Sequence, residues 1–446
     1  MYSLALQKGS SSLPYYDHRY NLGIVTLKHF DAYSLESYNG TTRYNFNAIV
    51  SPYMFSDTYW PAFRISVQHG GAKGVMCSYN SVNGVPSCCN NYLLNQVLRK
   101  TWGFQGYIVS DSGAIEDIYT SHNYTTSLGQ AVQFALEATC DMESCLGTSC
   151  GGFGTDYGTS SAYQNLAPVS YMFVFFIENM KLYKCKYIYK YIYKYKYKYK
   201  CKCFYLYLYH FIFIHLFHIF YFFFCKIAIV DNALKNTLKL RFELGLFDPI
   251  SNQPYWKVPG GIVGSQPIRE LNEFAAKQTM SSSLLFFFCV LQTNTGPHYN
   301  ASLALLGAYT GQVCHLEGSY ACVPTVLDAF EARYTAVGQN VVYSEGCDVL
   351  CNSSAGFPDA FEVASKADVI VLMMGINTQQ VEMEGQDRVS ISLPGLQYDL
   401  AMQICLMNKP TVLVLINGGI VAIDHLKYIC PAILEAWLFP LFFFFF

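Results

Sequence analysis

Between Gly23 and Asp141 short apolar runs alternate with longer amphipathic stretches, and each apolar run ends in polar residues. Residues 24–27 lead into Lys28 and His29, residues 75–78 into Tyr79 and Asn80, and residues 107–110 into Asp111. Short apolar runs bounded in this way predict buried strands. Between them, residues 57–68 and 92–99 are spaced as helices, the first followed by Gly70 and Gly71 as a stop. Residues 128–138 predict a third helix, with Leu128, Ala131, Val132, Ala135 and Ala138 on one stripe. This alternation predicts a parallel sheet with helices outside it. An amphipathic helix over 230–249 and a Pro/Gly-rich, linker-like stretch over 252–264 come later. A second α/β pattern follows, with a helix over 358–366, a strand over 368–374, a loop over 375–394, a helix over 396–407 and a strand over 411–416.

One segment breaks both patterns. Residues 171–226 hold 13 Tyr, 11 Phe and 10 Lys with a single acid, Glu178. Its repetition, KYIYKYIYKYKYKYK, uses residue types that A/T-rich codons specify, and we read it as retained intron sequence. Residues 204–224 lack any Asp, Glu, Lys or Arg and are long enough to cross a bilayer. Three His and Tyr at alternate positions argue against a membrane helix there, so no membrane partner is expected and an anchored chain is the alternative. Residues 281–289 (SSSLLFFFC) and 438–446 have the same character.

The insert accounts for the unusual composition. The chain is 52% hydrophobic, 17% aromatic and only 13% charged, with a net charge of −2, where about 25% charged is ordinary. Without residues 171–226 there remain 19 Lys and Arg against 30 Asp and Glu, a net charge of −11. Neither figure gives the basic footprint of a nucleic-acid-binding protein. The 17 Cys form no paired CxxC framework, so no metal site is expected. Cys314/Cys322 and Cys347/Cys351 are near enough in sequence to bridge short loops. Sequons begin at Asn39, Asn123, Asn300 and Asn352, which together with the cysteines point to the secretory pathway. The first 20 residues show no signal-peptide pattern.

Polar residues just past parallel strands gather at one rim of a (β/α)8 barrel, where such folds build active sites. Lys28, His29, Tyr79, Asn80 and Asp111 are therefore expected to converge. Loops are polar in any case, so each of these residues alone is weak evidence. The loop GINTQQVEMEGQDRVSISLPG places Glu382, Glu384 and Asp387 within six positions. Such crowding can raise a carboxyl pKa toward that of a proton donor. The competing reading is a solvated acidic loop with Asp387 and Arg388 as a structural ion pair.

Taken together, KHFDAYSLES, RYNFNAIVS, GVMCSYNSVNGVPSC, WGFQGYIVSDSGAIEDIY, LGLFDP and ADVIVLMMGIN with VEMEGQDRVSISLPG and VLVLINGG resemble family 3 glycoside hydrolases of the β-xylosidase branch. The resemblance implies a partial (β/α)8 barrel followed by a partial α/β sandwich. It implies a retaining exo-glycosidase acting on β-1,4-xylosyl ends of xylan or xylo-oligosaccharides, secreted in its complete form and needing no cofactor. β-Glucosidase or α-L-arabinofuranosidase activity, or a catalytically dead sugar-binding remnant, are the alternatives. Asp111 matches the family's nucleophile, and Lys28 and His29 match ligands of the first sugar. Tyr79 matches a residue packed beside the nucleophile, with Met76 as support, and Arg43 is a further candidate for the sugar pocket. The acid/base is expected from the second domain at Glu382, with Glu384 as the alternative.

The expected layout is an unassigned N-terminus (1–22), a partial catalytic barrel (23–170), the low-complexity insert (171–226), the end of the barrel domain (227–250) and a linker (251–280). A suspect insert (281–289), a partial sandwich (290–437) and an aberrant tail (438–446) follow. Only 27 residues precede KHF, where the family has several strands. The polypeptide as written is therefore expected to fold poorly and to show little or no activity.

Overall fold

A computed structural model describes residues 2–9, 18–144, 228–262, 265–279, 289–292, 323–377 and 380–436. The chain divides into two compact units. The first takes in Met1–Leu35 and Thr41–Val258, and the second Glu36–Gly40 and Pro259–Phe446.

In the first unit four parallel strands, β1 (Thr26–Phe30), β2 (Gly74–Cys77), β3 (Tyr107–Ser112) and β4 (Met142–Ser144), lie side by side in chain order. Each crossover is helical: Trp60–Gln68 links β1 to β2, Tyr92–Thr101 links β2 to β3, and Ala114–Thr120 with Leu128–Glu137 links β3 to β4. This is the strand–helix repetition expected of a barrel wall. The stripe anticipated on the last helix is the face it buries, with Ala131, Val132, Ala135 and Leu136 inside and the Ser127 side chain accepting the Gln130 N–H as N-cap. Tyr92–Thr101 is wound more widely, with i→i+5 bonding, and still buries Leu93, Leu94, Val97 and Leu98. These side chains join Phe30, Val75, Ile108, Ile115 and Ile118 in one core. Each such side chain contributes roughly 1.5–3 kcal/mol by leaving water.

Two boundaries differ from the pattern reading in a way that matters for the site. Lys28, His29 and Asp111 were expected beyond their strands but lie within β1 and β3. The strands run on because neighbours are still there to pair with them, Phe30 with Cys77 and Ser112 with Ser144. The stretch 57–68 is also not one regular helix, since a wider turn over Phe55–Tyr59 precedes Trp60–Gln68.

The second unit holds a parallel sheet of five strands, β5 (Cys289–Gln292), β6 (Tyr343–Ser344), β7 (Ile370–Gly375), β8 (Thr411–Ile416) and β9 (Ala432–Glu435), in the spatial order β6-β5-β7-β8-β9. Alternate residues of the central strands enter different cores. Ile370, Leu372, Met374, Leu413 and Leu415 pack with Ala360, Ala364, Leu400 and Ile404, whereas Val371, Met373, Val414 and Ile416 pack with Val326 and Phe330. A sheet covered on both faces explains why these strands read as unbroken apolar runs. Within the stretch expected as linker, residues 266–279 form a helix, and β5 begins at Cys289, the last residue of the second suspect run. Residues 171–226, with the candidate span at 203–225, the run 281–288 and the tail 438–446 lie outside the described residues. Among the described residues no helix is long and apolar enough to cross a membrane.

Candidate active site

The first unit assembles its candidate site from the C-terminal halves of adjacent strands. Asp111 is buried on β3 at 8% exposure, and its Oδ1 accepts the Ser112 N–H at 2.8 Å. Its Oδ2 is buried, makes no hydrogen bond among the described residues, and lies 3.5 Å from His29 Nε2 on β1. One oxygen is therefore held by the backbone while the other faces the imidazole. Lys28, one residue earlier, has an exposed side chain, and Met76 on β2 is half-buried.

Tyr79, two residues past β2, closes one side of the site. Its hydroxyl donates to the Ser112 carbonyl at 3.0 Å. Burial and then the charge of Asp111 push its pKa strongly upward, so Tyr79 stays a neutral phenol. The Arg43 guanidinium lies 4.8 Å from the Tyr79 ring centroid and 5.0 Å from that of Tyr44, and donates to the Tyr44 hydroxyl at 2.9 Å. Tyr44 meets Tyr79 edge-on at 5.0 Å, and Tyr33 meets His29 edge-on at 5.0 Å. The result is a wall of aromatic faces with one cation and one carboxylate. It offers apolar ring surface and hydrogen-bonding groups to the same ligand.

The strand-end pattern anticipated Asp111, His29 and Tyr79, the resemblance added Arg43, and the fold brings these four together. Asn80 is in the core instead, donating to the carbonyls of Asp31, Ala32 and Ser81. Several neighbours went unread. Tyr33 and Tyr44 lie within the quoted motifs KHFDAYSLES and RYNFNAIVS but have no periodic signal of their own. Asp31, directly after KHF, is wholly buried; its carboxylate accepts the Ala32 N–H at 2.6 Å and the Trp60 Nε1–H at 2.8 Å. Burial raises its pKa to about 6. His122 and the buried Glu143 on β4 also escaped notice.

In the second unit the loop after β7 carries Glu382 and Glu384. Glu382 is paired with Arg388, Nε to Oε2 at 2.6 Å, beside Gly419, and Arg388 also donates to the Ile420 carbonyl. Glu384 is exposed. Met383 and Gln386 exchange backbone hydrogen bonds at 3.0 and 3.1 Å around Gly385. Arg388 therefore pairs with Glu382, not with Asp387. Asp387 Oδ2 accepts the N–H groups of Glu36 and Ser37 at 2.8 and 2.9 Å, and Glu36 Oε2 accepts that of Gly385 at 3.0 Å. Glu382 and Asp387 therefore have separate partners.

Disulfides join Cys77 to Cys88, Cys347 to Cys351 and Cys405 to Cys430. Cys314 and Cys322 lie outside the described residues, as does Asn300, while Asn39, Asn123 and Asn352 are exposed. No group of three or more potential metal ligands occurs among the described residues.

Both units match models of one family. The family model "Glycosyl hydrolase family 3 N terminal domain" matches residues 20–149, and "Glycosyl hydrolase family 3 C-terminal domain" matches residues 293–440. A probable exo-1,4-β-xylosidase of Aspergillus flavus is 30% identical over 402 residues, which take in 89% of this chain and 42% of that one. A probable β-D-xylosidase of Arabidopsis thaliana is 31% identical over 404 residues, 90% of this chain and 42% of that one. Among solved structures, an exo-β-xylosidase in complex with a xylobiose aziridine probe aligns with a TM-score of 0.69 at 22% identity, covering 98% of this chain and 48% of that one. A β-glucosidase from Listeria innocua aligns with a TM-score of 0.64 at 21% identity, covering 93% and 48%. The chain belongs to glycosyl hydrolase family 3, and its fold is that of the family's barrel and α/β sandwich. It spans about two fifths of the length of the curated relatives it matches.

Proposed function

We propose that this chain carries the catalytic residues of a retaining exo-β-glycosidase that releases β-1,4-linked xylosyl residues from the non-reducing ends of xylan and xylo-oligosaccharides. The observation behind this reading is the asymmetric environment of Asp111, with Oδ1 tied to the Ser112 N–H and Oδ2 left open beside His29. A nucleophilic carboxylate needs this arrangement, oriented by one oxygen and attacking through the other. In the proposed mechanism Oδ2 attacks the anomeric carbon as the glycosidic C–O bond breaks, giving a glycosyl ester. Glu382 protonates the departing oxygen, then takes a proton from the water that attacks the ester, so two inversions give net retention. Glu384 is the alternative for this role. Lys28 and His29 bind sugar hydroxyls. Tyr79, supported by Met76, and Arg43 form the wall of the first sugar site. The chemistry requires no metal or cofactor.

The homology to proteins named as xylosidases supports xylose over glucose as the released sugar. Three disulfides and exposed sequons at Asn39, Asn123 and Asn352 support an extracellular glycoprotein. The test is hydrolysis of p-nitrophenyl β-xyloside, β-glucoside and α-L-arabinofuranoside by the wild type and by Asp111→Ala, Glu382→Gln and Glu384→Gln. The xyloside should be preferred, and Asp111→Ala should lose all turnover. Glu382→Gln should lose far more activity on xylobiose than on the aryl xyloside, whose leaving group needs less protonation. Turnover retained by Asp111→Ala refutes the assignment. Xylobiose binding without turnover in the wild type identifies a sugar-binding remnant instead.

A further inference from the structure

Tyr79 is gripped at both ends by one βα segment. Its hydroxyl donates to the carbonyl of Ser112, next to Asp111, and its own carbonyl lies 2.8 Å from His122 Nε2. Residues 111 to 122 leave β3, turn through Gly113, form the helix Ala114–Thr120 and return to place His122 against the exit of β2. The other ring nitrogen, Nδ1, lies 3.0 Å from Ser81 Oγ. A carbonyl only accepts, so Nε2 carries the proton and Nδ1 accepts from the Ser81 hydroxyl. Burial lowers the His122 pKa, in keeping with that neutral tautomer. His122 therefore fixes the backbone carbonyl of Tyr79 through one nitrogen and the side-chain hydroxyl of Ser81 through the other.

We infer that His122 is a positioning residue for the nucleophile: by holding the Tyr79 carbonyl it sets where the Tyr79 phenol stands against Ser112 and Asp111. The inference rests on the reading of Asp111 as nucleophile. The bland alternative is a histidine that merely satisfies two polar groups in a half-buried turn. The alternatives differ in which of the two bonds matters. Positioning depends on the bond to Tyr79, whereas general support of the turn depends on both.

The two bonds can be removed separately. In His122→Gln the amide nitrogen reaches the position of Nε2 and keeps the bond to Tyr79. In His122→Asn the shorter side chain reaches only the position of Nδ1 and keeps the bond to Ser81. The readout is the rate at which 2,4-dinitrophenyl 2-deoxy-2-fluoro-β-xyloside labels Asp111, followed by mass spectrometry of the whole chain. The Oδ2–C1 bond forms, the C1–O bond to the aryl group breaks, and dinitrophenolate leaves with the electron pair. That leaving group needs no protonation, so the step reports on the first unit alone.

His122→Gln should label within about threefold of wild type. His122→Asn should label about ten- to a hundredfold more slowly, the scale of a small misplacement of reacting groups, with circular dichroism and melting temperature like those of His122→Gln. Equal rates for the two folded variants, fast or slow, would overturn the inference. If His122→Asn does not fold, nitrogen-15 histidine NMR of the wild type decides, with protonation at Nε2 supporting the inference and at Nδ1 overturning it. A wild type that is never labelled defeats the nucleophile reading itself, and the inference with it.

Discussion

Asp31 offers a quantitative test of how the site is built. It sits directly after His29 and Phe30 and is fully buried, and burial raises its pKa from 3.8 to about 6 against the opposing effect of its two hydrogen bonds. Two pKa units correspond to roughly 3 kcal/mol. Below pH 4 the carboxyl is protonated in the folded and unfolded chains alike, and the stability from this group is fully present. Between pH 4 and 6 the unfolded chain releases its proton first, so the native state binds more protons and stability falls as pH rises. Above pH 6 the loss is complete. Asp31→Asn removes the titration. Its amide can accept from the Ala32 N–H or the Trp60 Nε1–H but not from both, which costs about 1–3 kcal/mol at any pH.

The variant should therefore be less stable than wild type at pH 4 and should recover roughly 3 kcal/mol relative to it by pH 7. Urea unfolding at the two pH values, with equal m-values, measures this difference. Asp117 and Asp141 are also raised to about 6 by burial; they titrate in both proteins and cancel. A difference between variant and wild type that does not change with pH would refute the reasoning.

Other outcomes follow from particular contacts. Arg99 donates to Asp141, Gly106 and Thr139, and the Asp141 side chain is 1% exposed. Arg99→Ala should destabilise the first unit by about 3–5 kcal/mol by stranding a buried carboxylate, and Asp141→Asn in that background should recover part of the loss in urea melts. Replacing Cys405 and Cys430, 25 residues apart, by Ala should cost about 3.5 kcal/mol from loop entropy, seen as a lower urea midpoint for the second unit without reductant. Gly375 has φ +145°, and a Cβ there would lie 1.9 Å from the Ile416 carbonyl oxygen. Gly375→Ala should cost more than about 2 kcal/mol and lower the melting temperature of the second unit.

What the sequence revealed follows from the physics of each element. The run 411–416 forms β8 over the same residues, because a strand buried on both faces is written as consecutive apolar positions. The helix at 128 was legible from its stripe and its capping Ser127. Strand ends were less legible, because pairing partners and not side-chain polarity decide where a ladder stops, and Lys28, His29 and Asp111 therefore fall inside strands. The partners of Glu382 and Asp387 were misjudged for a related reason. Arg388 is adjacent to Asp387 in sequence, but successive residues point apart, and the turn around Gly385 brings Glu382 to Arg388 instead.

The two kinds of candidate therefore carry different warrants. Asp111 and His29 are placed by strand position, since each lies near the C-terminal end of a parallel strand, at a local slip in the ladder bounded by paired residues, Leu27 and Phe30 around His29 and Val109 and Ser112 around Asp111. The paired residues on either side hold the segments that carry them, and a loop substitution elsewhere should leave them in place. Glu382 is placed by a loop whose geometry depends on one ion pair and one tight turn, so its surroundings are set locally. Arg388 holds one orientation of the Glu382 carboxylate, so Arg388→Met separates the cases. If Glu382 is the acid, the variant should lose activity on xylobiose while keeping most of it on the aryl xyloside, whose leaving group needs little protonation. If Glu384 is the acid, the two substrates should be affected alike, because the ion pair would then be structural.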